Sequence, residues 1–197
     1  MITIIDIGGN VGSISNMLKR VGLKSKISSD ANDIEIADRL ILPGVGAFDS
    51  GMKEIHSKNL IEVLAKKVLT ERTPILGVCL GMQLFTKRSE EGVLPGLGWI
   101  DAETIRFRTN LRIPHMGWNT LNRKDQPIFR NMPKSERFYF VHSYHVMCND
   151  ESNVIATTNY GYDFASVIQK ENIIGVQFHP EKSHRFGMTL LKNFSEI

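Results

Sequence analysis

Short apolar runs alternate with helix-spaced apolar residues through the first half of the chain, and this alternation constrains the fold more than any other feature. The runs Ile2–Ile5, Leu40–Leu42 and Pro74–Val78 have the length of buried strands, and each leads into a glycine-containing turn. Residues at helical spacing follow the first two runs, namely Val11, Ile14, Leu18 and Val21, and then Leu60, Ile61, Leu64 and Val68. Strands that alternate with helices form parallel sheets whose faces the helices cover. The sequence therefore predicts an α/β fold with an open, mostly parallel sheet, in which ligands bind at the carboxyl ends of the strands.

The second half of the chain has a different pattern. Between about Gly96 and Phe164, β-branched and aromatic runs such as Ile100–Phe107 and Phe138–Val146 predict hairpins or a smaller antiparallel or mixed sheet. A further buried strand, Ile173–Phe178, and a closing helix, Met188–Phe194, follow. Because no repeat or linker interrupts the 197 residues and 42% of them are hydrophobic, we predict one domain over residues 1–197.

Composition excludes several functional classes. The formal charge is only +3 and the charged residues are spread along the chain, which argues against a dedicated nucleic-acid binder. The N-terminus lacks the pattern of a signal peptide, and no apolar window is long enough to span a bilayer. The two cysteines, Cys79 and Cys148, stand far apart in different contexts. We therefore expect no disulfide and a location in the reducing cytoplasm.

A tight, glycine-flanked turn surrounds Cys79 in the run Gly77-Val78-Cys79-Leu80-Gly81, before a helix predicted over Leu80–Lys87. This is the form of a nucleophile elbow, in which small neighbours let the backbone close tightly and raise the nucleophile above the sheet. A helix N-terminus favours the thiolate, and the backbone N–H of Leu80 is free to stabilise an oxyanion. The turn taken alone is equally compatible with an ordinary strand–turn–helix packed by glycines.

Six histidines could supply the base for this thiol, and His179 is the best placed of them. It follows the predicted strand Ile173–Phe178, so a parallel sheet would bring it to the same edge as Cys79. Glu181, two residues later, is able to orient the imidazole and stabilise its charge, as the third member of a triad does. We therefore predict a triad of Cys79, His179 and Glu181.

The other histidines receive different interpretations. His56 lies in a helical pattern among polar residues and is expected to be solvated, and His184 is interpreted as a surface residue. His115 is expected in a loop or at an interface. His142 and His145 are three residues apart, but no cysteine or carboxylate at a matching spacing stands beside them. We therefore predict no metal site.

Three further positions suit a small polar substrate. The run Gly44-Val45-Gly46 follows another strand and could offer a second oxyanion N–H, while Gln83 and Glu91 could hold a group that carries an ammonium. The residues alone thus indicate a cysteine-dependent hydrolase or amidase of a small polar substrate.

Two motifs resemble those of the class I (triad) glutamine amidotransferases: Gly77-Val78-Cys79-Leu80-Gly81-Met82-Gln83 and Val176-Gln177-Phe178-His179-Pro180-Glu181-Lys182-Ser183. The likeness extends over essentially the whole chain, and three other runs are similar to the glutaminase subunits of imidazole glycerol phosphate synthases. They are Pro43-Gly44-Val45-Gly46-Ala47-Phe48, Pro114-His115-Met116-Gly117-Trp118-Asn119 and Phe140-Val141-His142-Ser143-Tyr144. The resemblance implies a flavodoxin-like core and no cofactor.

The resemblance also implies a chemistry for the triad. Cys79 would attack the side-chain amide of glutamine to give a glutamyl thioester, and His179, oriented by Glu181, would protonate the departing ammonia and then activate water. Backbone N–H groups of Leu80 and of Val45 or Gly46 would form the oxyanion hole. The amino-acid end of glutamine would be held by Gln83, Glu91, Ser143 and Tyr144.

In such enzymes ammonia passes to a partner, a (β/α)₈-barrel cyclase subunit of the HisF type, with which the glutaminase forms a heterodimer. The resemblance implies that the interface and the ammonia passage involve Asn10, Pro114, Trp118, Tyr139 and Lys182.

Two positions depart from the pattern of these glutaminase subunits. The run Gly8-Gly9-Asn10 is one residue shorter than the usual Gly-x-Gly-Asn, and His145 follows Tyr144 where another residue is frequent. The short run faces the partner, so it leaves the details of docking open. The runs Ser143-Tyr144-His145 and Lys182-Ser183-His184 leave open a related glutaminase that supplies ammonia, through a barrel subunit, to a surface-sugar amidating system. A stand-alone thiol hydrolase and a catalytically idle scaffold are further alternatives, against which the complete triad argues.

Overall fold

Parallel pairing joins the strands of the first half into one sheet in the computed structural model, which describes residues 1–197. Its first strands are β1 (Ile2–Ile5), β2 (Ser25–Ser28), β3 (Arg39–Gly44), β4 (Ile75–Cys79) and β5 (Arg88–Ser89). Strand β1 pairs in parallel with both β2 and β3, and β3 pairs in parallel with β4. Strands β2 and β3 thus lie on opposite sides of β1, and the order of the sheet reverses there. Open α/β sheets bind their ligands at such a point, beside the carboxyl ends of the strands.

The strands of the second half complete this sheet and add a separate ribbon. They are β6 (Ala102–Arg106), β7 (His115–Thr120), β8 (Asn122–Arg123), β9 (Arg137–His142), β10 (Tyr144–Cys148), β11 (Val154–Asn159), β12 (Asp163–Lys170) and β13 (Ile173–Val176). The order of the main path is β2-β1-β3-β4-β13-β12-β10-β6-β5, in which β13 is parallel to β4 and antiparallel to β12. Strands β7 and β9 form the antiparallel β7–β9 ribbon. The predicted combination of a mostly parallel sheet with a smaller antiparallel one is confirmed.

Six α-helices cover the two faces of the sheet. They are α1 (Val11–Arg20), α2 (Ala31–Glu35), α3 (Phe48–Ser57), α4 (Ile61–Ala65), α5 (Leu80–Leu84) and α6 (His184–Phe194). Side chains alternate along each strand, so Leu40 and Leu42 pack on one face and Ile41 on the other. The result is two buried apolar clusters of 25 and 24 residues, one on each side of the sheet. No helix is both long and apolar enough to cross a membrane.

The helix after the elbow is shorter than predicted. It ends at Leu84 rather than at Lys87, because the following segment takes over its carbonyl groups. The N–H of Leu97 donates to the Leu84 oxygen at 2.8 Å, and the N–H of Ile100 donates to the Phe85 oxygen at 3.1 Å. The closing helix begins earlier than predicted, at His184, and β13 ends two residues earlier, at Val176.

Candidate active site

The turn at Cys79 has the strained geometry of an elbow. Strand β4 ends at Cys79 and α5 begins at Leu80, and the backbone of Cys79 adopts φ 53° and ψ −107°, which non-glycine residues rarely occupy. A Cβ at Gly77 would lie 2.7 Å from the Met82 nitrogen, and one at Gly81 would overlap the Leu42 carbonyl oxygen. Both glycines are therefore required for the close approach of β4, α5 and β3. The first amide of α5, that of Leu80, has no acceptor within its helix.

Replacing Gly81 by alanine should move the elbow and destabilise the fold by about 3 kcal/mol, because the new methyl group meets rigid backbone of β3. Urea denaturation of the variant would measure the loss. Gly12→Ala in α1 is the matched control, since a Cβ there meets nothing within 4 Å. An unchanged denaturation midpoint for Gly81→Ala would contradict the packing described for the elbow.

His179 reaches the elbow because β13 lies beside β4. The two strands pair in parallel with Val176 opposite Val78, so the chain leaving β13 emerges next to Cys79. The backbone N–H of His179 donates to the Tyr139 oxygen at 2.9 Å, which joins this turn to the β7–β9 ribbon. The imidazole is 2% exposed and lines the same cavity as Cys79.

Glu181 completes the arrangement from behind the imidazole. Its fully buried carboxylate lies 2.8 Å from His179 Nδ1, and Asn10 Nδ2 donates to the same oxygen at 3.2 Å. Burial alone would lower the pKa of His179, but the thiol of Cys79 and the Glu181 carboxylate raise that pKa to about 9. Burial would raise the pKa of Glu181, but its contacts with His179 and Asn10 hold it below the ordinary value. At neutral pH the site therefore holds an imidazolium between the Glu181 carboxylate and the Cys79 sulfur.

A cavity of about 590 Å³ opens in front of the thiol and gathers most of the predicted site residues. The predicted residues that line it are Val45, Gly46, Cys79, Leu80, Gln83, Glu91, Pro114, Ser143, Tyr144, His179 and Lys182. Ala47, Val141 and His142 also line it and were not predicted. Glu181, Asn10, Trp118 and Tyr139 lie outside the cavity wall.

The loop after β3 faces the thiol across this cavity. Gly46 has φ +93°, a conformation that suits glycine, and Val45 is about half exposed. The Phe48 N–H donates to Glu91 Oε2 at 2.8 Å, so Glu91 holds the start of α3 as well as facing the cavity. Gly9 packs against the same loop, since a Cβ on it would lie 3.3 Å from the Val45 nitrogen.

Three of the predicted interface residues, Trp118, Tyr139 and Lys182, lie together beside the site. Trp118 and Tyr139 are cross-strand neighbours in the ribbon, with ring centroids 5.9 Å apart, and Lys182 Nζ lies 5.7 Å from the Tyr139 ring. Trp118 is 45% exposed and stacks on His184, whose ring lies 5.3 Å away at an angle of 7°. His184 is exposed at the start of α6, as predicted, and His56 is exposed on α3.

The expectation for His115 was wrong. It is the first residue of β7 and is 3% exposed, because alternation along the strand turns its ring inward, toward His142 and the aromatic rings of Phe140 and Tyr160. His142 and His145 are buried in the same aromatic surroundings. The described residues contain no group of three or more His, Cys, Asp or Glu side chains placed to hold a metal ion.

Burial keeps these histidines neutral. It lowers the pKa of His115 to about 4 and that of His142 to about 3, and it also lowers the pKa of His145. Along Pro114–Asn119 the apolar residues Met116 and Trp118 alternate with other residues, as in a strand. The proline and the glycine within this run obscure that pattern in the sequence.

Mild acid should destabilise the protein through these buried histidines. Between pH 6.5 and 5 these histidines become protonated in the unfolded chain but stay neutral in the folded chain. Their contribution to the free energy of unfolding is therefore complete above pH 6.5. It is lost as the pH falls toward the folded-state pKa, about 4 for His115 and about 3 for His142. We expect a loss on the order of 3 kcal/mol by pH 5, measured by urea denaturation. His142→Asn should flatten this dependence and His56→Gln should not. Equal slopes in the two variants would contradict the assignment.

Comparisons with known proteins agree with this geometry. The family model described as "Glutamine amidotransferase class-I" matches residues 3–197. A protein of Pseudomonas aeruginosa named "Imidazole glycerol phosphate synthase subunit HisH 2" is 50% identical over 100% of both chains. A protein of Methanococcus maripaludis with the same name is 52% identical over 98% of both chains.

Solved structures show the same fold. One described as a glutamine amidotransferase superposes with a TM-score of 0.77 at 20% identity, covering 99% of this chain and 97% of the other. The structure of PurLQS from Thermotoga maritima superposes with a TM-score of 0.74 at 16% identity, covering 99% and 97%.

Proposed function

This chain belongs to the class-I glutamine amidotransferase family, and from that premise we propose that it is the glutaminase subunit of an imidazole glycerol phosphate synthase. Two observations taken together support the proposal. The chain matches relatives of that name over its whole length, and His179, held by the buried Glu181 carboxylate, lines the same cavity as Cys79. We propose that residues 1–197 act as one amidotransferase domain, in the cytoplasm.

The reaction begins with attack on the side-chain carboxamide of glutamine. The Cys79 thiolate bonds to the carbonyl carbon, and the developing oxyanion is stabilised by the Leu80 N–H and by a backbone N–H from Val45 or Gly46. His179 is the acid of this step, because its raised pKa keeps it protonated at neutral pH. Its proton goes to the amide nitrogen as the carbon–nitrogen bond breaks, leaving ammonia and a glutamyl thioester.

Water completes the cycle. His179, now neutral, takes a proton from a water molecule that attacks the thioester carbon, and the carbon–sulfur bond breaks to give glutamate and the Cys79 thiolate. Glu181 holds the imidazole by its Nδ1, so the Nε2 edge remains for these transfers. Asn10 fixes the same carboxylate oxygen.

The cavity has separate polar groups for the amino-acid end of glutamine. Gln83 uses its Nε2 for internal hydrogen bonds, so its carbonyl oxygen is what remains for the substrate ammonium. The Glu91 carboxylate, which also lines the cavity, adds a negative charge. Ser143 and Tyr144 line it as well, and their backbone amides suit the α-carboxylate.

The partner in this proposal is a (β/α)₈-barrel cyclase subunit that receives the ammonia. The group Trp118, Tyr139 and Lys182, of which Trp118 and Lys182 are exposed and Tyr139 is half-buried, offers an aromatic and cationic surface, and tryptophan and tyrosine are frequent at interface hot spots. Pro114 and Lys182 line the cavity itself and so connect the thiol with this surface.

Reconstitution tests the proposal. The chain would be mixed with a barrel cyclase subunit, glutamine and the ribotide substrate of the synthase, and glutamate and imidazole glycerol phosphate would be measured together. We expect one imidazole glycerol phosphate per glutamate. A complex that releases glutamate but makes no imidazole glycerol phosphate would reject the pathway while leaving the glutaminase reaction in place.

A second candidate keeps the half-reaction and changes the acceptor. This chain has His145 after Tyr144 and the run Lys182-Ser183-His184. A related glutaminase that supplies a surface-sugar amidating system fits these observations. Aminated sugar as the product formed with a co-purified partner would favour it, whereas equal turnover with and without a partner would favour a stand-alone hydrolase.

A further inference from the structure

A buried side chain that the mechanism above does not use touches the nucleophile. Gln177 Nε2 lies 3.6 Å from Cys79 Sγ, within the range of an N–H···S hydrogen bond, and Gln177 is fully buried. Its other end lies 3.0 Å from Gln83 Nε2. Gln177 thus connects the thiol to a second buried amide.

The orientation of both amides follows from one backbone carbonyl. Gln83 Nε2 donates to the Tyr144 oxygen at 3.1 Å, and since a carbonyl only accepts, nitrogen must be the Gln83 atom on that side. The second hydrogen of this nitrogen then requires the oxygen of Gln177. The NH₂ group of Gln177 therefore faces sulfur, as a donor.

One histidine binds the same carbonyl, and a second histidine binds the first. His142 Nδ1 lies 2.7 Å from the Tyr144 oxygen and must carry a proton, so its Nε2 is bare. His115 Nδ1 lies 3.1 Å from that nitrogen and must donate to it, which leaves His115 Nε2 to accept from Asn119 Nδ2 at 3.4 Å. Asn119 Nδ2 also donates to the Asn159 oxygen at 3.0 Å.

These contacts form one continuous series, here called the amide–histidine chain: Cys79, Gln177, Gln83, the Tyr144 carbonyl, His142, His115 and Asn119. Its far end lies in strand β7. Alternation places His115 on the inner face of that strand, whereas Met116 and Trp118 are exposed on the outer face. The β7–β9 ribbon therefore contributes to the amide–histidine chain on its inner face and to the proposed partner surface on its outer face.

We propose that Gln177 donates a hydrogen bond to the Cys79 thiolate during glutamine hydrolysis, and that His142 and His115 are positioning residues that hold this donor from the β7–β9 ribbon. The inference rests on the proposed function in one respect, namely that glutamine hydrolysis is the reaction in which this hydrogen bond acts. It assigns a purpose to His115 and Asn119 of the Pro114–Asn119 run and to the glutamine before Phe178-His179.

The surroundings support fixed roles for these groups. The histidines remain neutral near pH 7, since burial lowers the pKa of His115 to about 4 and of His142 to about 3, so neither adds a proton that would reverse a donor. Aromatic rings of Phe107, Phe140 and Phe164 pack around His142, and its two ring nitrogens are engaged by the Tyr144 oxygen and by His115 Nδ1.

Gln177→Glu is the sharpest test of the thiol contact. The substitution keeps an acceptor for Gln83 and the side-chain shape, but it replaces the donor near sulfur with an anionic or acceptor oxygen. Iodoacetamide alkylation of Cys79 at pH 7, followed in a Cys148→Ala background, should slow by about tenfold or more, because a hydrogen bond to a charged group is lost. Gln169→Glu on the adjacent strand β12 is the matched control and should alkylate at the normal rate.

The histidines are tested by a double-mutant cycle. His142→Phe removes the donor to the Tyr144 carbonyl and should slow alkylation and kcat by about threefold to tenfold, with KM for glutamine little changed, while His142→Asn, which keeps a donor near the Nδ1 position, should restore both. Since His142 acts through Gln177, Gln177→Glu combined with His142→Phe should be no slower than Gln177→Glu alone.

Several outcomes would overturn the inference: normal alkylation in a folded Gln177→Glu protein, multiplicative effects in the double mutant, or no rescue by His142→Asn. Folding would be checked by urea denaturation, and Gln177→Met offers a second variant without the added charge. Alkylation needs neither glutamine nor a partner. A failed reconstitution together with slowed alkylation would therefore reject the pathway and retain the amide–histidine chain.

Discussion

Replacing Cys79 by alanine is expected to lower the rate of glutamate formation by roughly 10⁴-fold or more, the scale of loss when a covalent nucleophile is removed. No other nucleophile lies in position to form the thioester. Alanine and cysteine are equally disfavoured at a φ of 53°, so the substitution does not change the backbone strain, and the fold and the cavity should remain. The measurement is glutamate release by the complex with the cyclase subunit, at saturating glutamine.

Cys148 provides the matched control for this experiment. Burial raises its pKa to about 11, so its thiol stays protonated and unreactive at neutral pH, and it lies on β10 rather than at the elbow. Cys148→Ala should retain full glutaminase activity. If Cys79→Ala kept a tenth of the normal rate while folded and bound to its partner, the nucleophile assigned above would be wrong.

His179→Gln should have the second largest effect, a loss of about 10³-fold to 10⁴-fold in kcat, because the acid of the first step and the base of the second are both removed. In the unmodified protein, activity should also decline as the pH rises through about 9, where the imidazolium loses the proton that the departing ammonia requires. A pH–rate profile of kcat would show this decline.

His56→Gln is the control for that substitution, because His56 is exposed on α3 and contacts no part of the site. Its activity and its pH profile should be unchanged. A His179→Gln protein with the normal alkaline limb would show that another group supplies the proton.

The elbow and its base were predictable because each depends on local pattern and on one general rule. Glycines on both sides of Cys79 reveal the tight turn, and an apolar strand before His179 indicates the same sheet edge. What the sequence did not contain was the strand order. That β13 pairs with β4, about 100 positions earlier, depends on how all the strands pack together, and no local propensity reports it.

The parts that were missed depend on tertiary contacts. Strand β2 has Ile27 as its only strongly apolar residue, and that side chain is partly exposed at the sheet edge, so no buried-strand pattern exists there. His115 stands in a run with a proline, a glycine and a tryptophan, which suggests a loop until its partner β9 is known. Glu91 was predicted to face the substrate, but its bond to the Phe48 N–H could not be foreseen.

The position of β13 has a consequence for how this protein is made. It follows all other strands along the chain, yet it lies between β4 and β12 in the finished sheet. Until it is synthesised, the edge of β4 that it covers is unpaired and apolar, which favours aggregation, and its pairing with β4, about 100 positions earlier, is a non-local folding step. The same segment delivers His179, so a nascent chain acquires the ability to break an amide bond only with the step that completes its sheet. Chains that lack this segment therefore risk aggregation, and they also lack the base that the proposed glutamine hydrolysis requires.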